Sequence, residues 1–92
     1  MQFSWDPAKA RANQRKHGVS FEEAATVFIA DPLARIHDDP DHSVDELREI
    51  IIGVSAAGRL LLISFIEHAE TVRIISARVT DPWERRRYEE NR

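Results

Sequence analysis

The chain has 92 residues, no cysteine and a net charge of −3. That length fits one domain with a modest core, burying roughly 60–65% of the surface its unfolded form exposes. The missing cysteines exclude a disulfide framework and a thiolate metal site, and net acidity taken alone argues against a nucleic-acid binder. The longest apolar run, Leu60-Leu61-Leu62-Ile63, is broken by Ser64 and is too short to span a bilayer, and nothing resembles a signal peptide. A soluble cytoplasmic protein with no membrane partner is expected.

Charge is unevenly spread. Residues 1–20 sum to about +3, residues 21–50 to about −7, and the remainder to about +1 with Arg85-Arg86-Arg87 near its end. An acidic molecule with a local basic surface fits this pattern, and so does a merely solvated acidic face.

In chain order, Phe3-Ser4-Trp5-Asp6 reads as a short extended start. Asp6-Pro7 has the signature of an N-cap followed by proline at the first helical position. The helix it opens should run to about His17 and stop at Gly18. Ser20-Phe21-Glu22-Glu23 has capping-box spacing, with the Glu23 carboxylate expected to reach back to the Ser20 amide. Phe21, Ala24, Ala25 and Phe28 then repeat as the buried stripe of a second helix, which should end before Asp31-Pro32. From Leu33 the period changes to that of strands, predicted over 33–39, 48–55, 59–67 and 71–79, with a polar loop after the first and tight links between the rest. Asp81-Pro82 repeats the cap-plus-proline signature and opens a last helix through Tyr88.

Consecutive strands with short links imply a four-stranded antiparallel meander, with room for a short N-terminal strand beside it. Two helices before it and one after make the fold α+β. Strand 59–67 is apolar on both faces, so the sheet needs cover on two sides. The first two helices can cover one. The other requires the last helix, a second subunit or a bound partner.

Several side chains invite chemistry. Lys9, Asn13 and Lys16 fall at i, i+4 and i+7 on the first helix, with His17 at the stripe's edge. This is either a solvated face with cations near the helix C-terminus or a phosphate-contacting surface with a titratable imidazole. Arg73 and Arg78 interrupt the apolar pattern of the last strand. Five residues apart, they are expected on opposite faces, and an arginine aimed at a half-buried face needs an anion. That anion can be an acid such as Glu67 across the hairpin, or an RNA phosphate or a developing phosphorane. Tyr88 fits base stacking or packing of the last helix on the sheet, and Trp5 and Trp83 read as core or sheet-covering residues. His37, His42 and His68 lie among aspartates, but no pair has the spacing of a helical zinc motif, so no metal site is expected.

These pieces together resemble the BrnT family of toxins from bacterial type II toxin–antitoxin modules. The resemblance rests on FSWDPAKARANQRKHGVSFEEA at the start, DPLA at the first meander strand, REIIIGVSAAGRLLLISFIE in the central hairpin and RIISARVTDPWERRRYEE at the end. It spans nearly the whole chain. It departs at Val79-Thr80-Asp81-Pro82-Trp83, where smaller and more basic residues would be expected.

The resemblance implies a RelE-like ribonuclease fold, inhibition of translation by RNA cleavage without a cofactor, and neutralisation by a BrnA-type antitoxin. It further implies joint repression of the operon, so that operator DNA is reached only through the antitoxin. A homodimer or a toxin–antitoxin heterotetramer follows from the same likeness. On this reading His17 is the first candidate for proton transfer and Glu67 an alternative base. Lys16 neutralises phosphate, Arg78 holds the transition state, and Tyr88 orients a base or shares proton transfer. Lys9, Asn13, Arg15, Arg73 and Arg86 would contact RNA. The rival reading is a non-catalytic partner-binding module that acts as co-repressor with a DNA-binding antitoxin, its acidic segment 38–49 attracting a basic partner.

Overall fold

The computed structural model describes residues 1–38 and 48–90, with the side chains of Arg35 and Asp38 left aside. In chain order the elements are β1 (Gln2–Ser4), α1 (Pro7–His17), α2 (Phe21–Ala30), β2 (Arg35–Asp38), β3 (Arg48–Val54), β4 (Leu60–His68), β5 (Thr71–Val79) and α3 (Pro82–Glu90). The strands form one five-stranded sheet in the order β1-β5-β4-β3-β2. The expected meander β2 to β5 is antiparallel throughout. The short N-terminal strand joins it in parallel, pairing Gln2 to Ser4 with Thr71 to Arg73. The expected polar loop lies in 39–47, outside the described residues. None of the described helices is long and apolar enough to cross a membrane.

Local chemistry sets the helix ends. The Asp6 carboxylate accepts from the Ala8 amide, and Pro7 follows it. Gly18 sits at φ 68°, where a side chain would be strained, and its amide closes on the Gln14 carbonyl. The Ser20 hydroxyl accepts from the Glu23 amide as expected. The reciprocal half of that capping box does not form: the Glu23 carboxylate turns instead to Arg59 and to the Ser55 hydroxyl. Arg59 also donates to the Gly18 carbonyl, so this pair ties the α1–α2 turn to the β3–β4 hairpin.

The core lies between the two N-terminal helices and one sheet face. Phe21, Ala24 and Val27 of α2 meet Ile51, Leu61, Ile63, Phe65, Val72, Ile74 and Ala77. Phe28 is packed edge-on between Phe3 and Phe65. Helix α2 approaches β3 so closely that a Cβ on Gly53 would lie 2.8 Å from both Ala34 Cβ and Val27 Cγ1.

Helix α1 has little apolar surface. It is held by an amide. Strand β1 covers β5 only as far as Arg73, so among the described residues the edge of β5 beyond it has no strand partner on that side. Asn13 takes that place. Its Oδ1 accepts from the Ala77 amide at 3.0 Å, and its Nδ2 donates to the Ala77 carbonyl at 2.8 Å and to the Val19 carbonyl at 2.9 Å. The carboxamide thus reproduces one residue of strand pairing and joins it to the α1–α2 turn.

Replacing Asn13 with Ala leaves the Ala77 amide and two carbonyls without partners in a buried setting. Each buried group left unsatisfied costs about 1–3 kcal/mol. Urea unfolding of Asn13→Ala is expected to give a midpoint lowered by a loss of about 3 kcal/mol or more, with the denaturant slope unchanged. A loss under about 1 kcal/mol would show that the amide is dispensable.

Candidate functional site

Strand β5 carries the first part of the site. A register shift opposite Ser64 and Phe65 pairs Ser64 with Ser76 but Phe65 with Ile74, leaving Ile75 as the extra residue of a bulge. Val72 and Ile74 enter the core before the bulge, and Ala77 enters it after. The intervening shift moves Arg78 to the side opposite the core, where Arg73 already points. Arg73 pairs with Ile66, Ser76 with Ser64 and Arg78 with Leu62, three alternate residues of β4 on one face. The expectation that Arg73 and Arg78 face apart is therefore corrected: the bulge brings them onto the same face. Arg73 is exposed there and donates weakly to the Ser4 hydroxyl at 3.3 Å.

Helix α1 supplies the second part. Asn13, expected on an exposed stripe, is 7% exposed with its amide committed to the fold, so it is withdrawn as an RNA contact. Its burial orients its neighbours. Ala10 and His17 lie to one side of it and are half-buried, and Ala10 packs on the core. Lys9 and Lys16 lie to the other side and are exposed. Arg15 is exposed as well. Among the described residues none of Lys9, Arg15, Lys16 or His17 has a side-chain hydrogen-bond partner. Through Asn13, α1 meets the β5 edge at Ala77, the residue before Arg78.

Helix α3 supplies the third part and packs on the second sheet face through Tyr88. Tyr88 packs with Ile52 and Leu60, and its hydroxyl donates to Asp31 Oδ2 at 2.6 Å. That carboxylate oxygen also accepts from the Val54 amide, so it joins α2, β3 and α3. A ring 8% exposed and anchored in this way cannot stack on a base or move a substrate proton, which corrects those roles for Tyr88. At the start of α3, Asp81 and Glu84 form a complete capping box, with reciprocal bonds of 2.7 and 2.9 Å. The same Glu84 carboxylate receives Arg78 through both terminal nitrogens, at 2.8 and 2.7 Å. Bidentate pairing holds Glu84 below the usual carboxylate range and raises Arg78. Arg86 is exposed on the far side of the helix.

The profile of a family described as the ribonuclease toxin BrnT of type II toxin–antitoxin systems matches residues 5–84. The chain belongs to the BrnT family. A crystal structure of the ribonuclease toxin BrnT from Brucella abortus superposes with a TM-score of 0.68 at 23% identity, covering 88% of this chain and 97% of that one. At that identity the likeness speaks for the shared fold of three helices and a five-stranded sheet. A comparison with curated proteins gives no match.

Set in a BrnT fold, the remaining candidates separate. Glu67 pairs with Val72 and so lies on the core side of the sheet, at the exposed end of the hairpin. It shares neither face nor end with Arg78, so it cannot serve as a base beside that arginine. It does not pair with Arg73 either. Trp83, expected in the core or on the sheet, is 59% exposed. Trp5 is half-buried against Phe21. His42, Asp39, Asp41 and most of the acidic segment 38–49 lie outside the described residues. Among the described residues no three His, Asp or Glu side chains are grouped to hold a metal.

Two carboxylates, Glu23 beside Arg59 and Glu84 beside Arg78, are held below their ordinary value of 4.5 chiefly by hydrogen bonds from those arginines. A lowered native value means the unfolded chain binds protons first. The stability from each pair is complete above about pH 4.5 and is lost as pH falls through the lower native value. Denaturant unfolding across this range should show wild-type stability falling on acidification, with a smaller fall in Glu23→Gln and in Glu84→Gln. Identical pH slopes in all three proteins would contradict the assignment.

Proposed function

We propose that this protein is a metal-independent endoribonuclease toxin that cleaves RNA, blocks translation and is neutralised by a BrnA-type antitoxin, with operator DNA contacted only through that antitoxin. Family membership supports a ribonuclease toxin with an antitoxin partner. The observation that supports the placement of the chemistry is the bulge in β5, which sets Arg73 and Arg78 on one face of the strand that α1 grips through Asn13. A homodimer, or a heterotetramer with the antitoxin, is part of the same reading.

Cleavage of this kind needs the ribose 2′-OH to attack the adjacent phosphate. A base takes its proton, an acid protonates the departing 5′-oxygen, and cations stabilise the charge gathered at phosphorus. His17 is the group suited to the proton steps, since an imidazole offers both a donor and an acceptor nitrogen. Its half-buried position at the end of α1 would set the ring while leaving it reachable. Lys9 and Lys16 would neutralise phosphates along the strand, with Arg15, Arg73 and Arg86 as further contacts. Arg78 would hold the reacting phosphate. Glu84 now occupies its terminal nitrogens, and a phosphate, which offers the same bidentate oxygens, would compete for them.

General acid–base assistance is worth about 10²–10⁴-fold, and loss of a transition-state cation a similar factor. Purified protein in EDTA is expected to cleave RNA, with His17→Ala and Arg78→Ala each slower by about that range. Cleavage unchanged in both variants, with folding intact, would remove the site assignment.

The partner-binding alternative is favoured by one observation. Ile29 on α2, Leu33 in the following turn and Ile36 on edge strand β2 are large apolar residues left exposed. Expression without antitoxin separates the two readings. The nuclease is expected to arrest growth, and a non-catalytic module would leave it normal.

A further inference from the structure

The flank of α3 that carries Trp83 is turned to solvent. Glu84 and Tyr88, four residues apart, are the residues this helix turns inward. Arg85 and Glu89 lie on one flank and line a shallow cleft with Val54, Gly58 and Leu60. Trp83 and Arg87 occupy the other flank. The Arg87 guanidinium carbon sits 4.9 Å from the Trp83 ring centroid, a cation–π stack. That stack accounts for one face of the indole. The residue is nonetheless 59% exposed, which turns its other face to solvent, and Val79 just before the helix is 46% exposed. A tryptophan held by an arginine on a surface, with no core to fill, is an unusual use of the largest apolar side chain.

We propose that Trp83, backed by Arg87, is a stacking platform for an unpaired nucleobase of a single-stranded RNA. Three features favour RNA as the occupant. A base presents a π-face that stacks on indole whatever its identity. Arg87 behind the ring and Arg86 on the adjoining outer side of the helix suit a phosphate backbone. Trp83 also precedes Glu84, which binds Arg78, so a base on the indole would lie one residue from the carboxylate that guards the proposed phosphate contact. Arg87 fixes the indole from behind, which reduces the ordering required when a base arrives. This inference rests on the RNA-cleaving reading and adds a base-binding position to it. Duplex RNA, whose bases are stacked internally, is excluded from such a site.

The test uses full-length wild type, Trp83→Phe and Trp83→Ala with a short single-stranded oligoribonucleotide carrying 2′-O-methyl riboses, which cannot be cleaved. Binding is read by fluorescence anisotropy of the labelled strand and by quenching of protein tryptophan emission. Wild type is expected to bind with quenching. Trp83→Ala should bind about five- to a hundred-fold more weakly, and Trp83→Phe, which keeps an aromatic face, should lie close to wild type. Trp5 remains in both variants and should be little quenched, being half-buried. Thermal unfolding should be nearly unchanged in both, since the indole is exposed. Equal RNA affinity in wild type and Trp83→Ala would overturn the platform while leaving the ribonuclease reading in place. Weakened antitoxin binding by Trp83→Ala with RNA affinity intact would also overturn it, marking a protein interface instead. No RNA binding or cleavage by wild type would overturn the ribonuclease reading itself and the platform with it.

Discussion

One carboxamide fixes the relation between the helices and the sheet. Strand β1 is three residues long and stops pairing at Arg73, yet β5 continues to Val79. The edge beyond needs hydrogen-bond partners or water. Asn13 provides them from a helix with almost no apolar surface, which replaces hydrophobic packing with three directional bonds. Directional bonds set rotation as well as position. With Asn13 facing β5, Ala10 and His17 must turn toward the core and Lys9 and Lys16 away from it. The cationic flank of α1 is thus a consequence of how the helix is fastened.

The same stretch of β5 organises the other side of the molecule. The bulge at Ile75 allows Val72, Ile74 and Ala77 all to enter the core while sending Arg73, Ser76 and Arg78 outward together. Arg78 then meets Glu84, whose carboxylate also caps α3. Helix α3 meets the sheet through this pair, the Tyr88–Asp31 bond and the Tyr88 ring on Ile52 and Leu60. A helix whose buried apolar surface is one ring is easier to displace than one held by an apolar stripe. Arg78 therefore stands between an amide-locked helix on one side and a lightly held one on the other. It is the position at which a bound phosphate would be felt by both.

Much of the fold was legible from local signals. Asp6-Pro7, Ser20, Gly18 and Asp81 mark helix ends through chemistry that acts within one turn, and the structure places the helices where those residues indicate. The meander was legible from apolar runs broken by short links. What was not legible depended on contacts distant in sequence. Asn13 looks like a surface amide by its helical spacing, and only the unpaired edge of β5, sixty-four residues away, makes it a buried lock. The faces of Arg73 and Arg78 follow from a parity count that a single bulged residue reverses. Adjacent Ile74 and Ile75 do not reveal it, because Ile50-Ile51-Ile52 and Leu60-Leu61-Leu62 also lie side by side where no register shift falls. Glu23 left its capping box for Arg59, a choice set by the hairpin rather than the helix. Trp83 read as buried because tryptophan usually is. Its position beside Glu84, on a helix with only two inward residues, leaves it outside.

The proposed RNA-facing surface joins the α1 flank, the Arg73–Arg78 face of β5 and the first turns of α3 through the Asn13–Ala77 contact. Backbone amide shifts of isotope-labelled protein, followed by NMR during titration with a non-cleavable single-stranded RNA, test it most directly. The account predicts that the shifts cluster around Lys9, Lys16, His17, Arg73, Arg78 and the start of α3, leaving the outer face of α2 and strand β2 undisturbed. Shifts confined to α2, the Leu33 turn and β2, with the β5 edge silent, would contradict it.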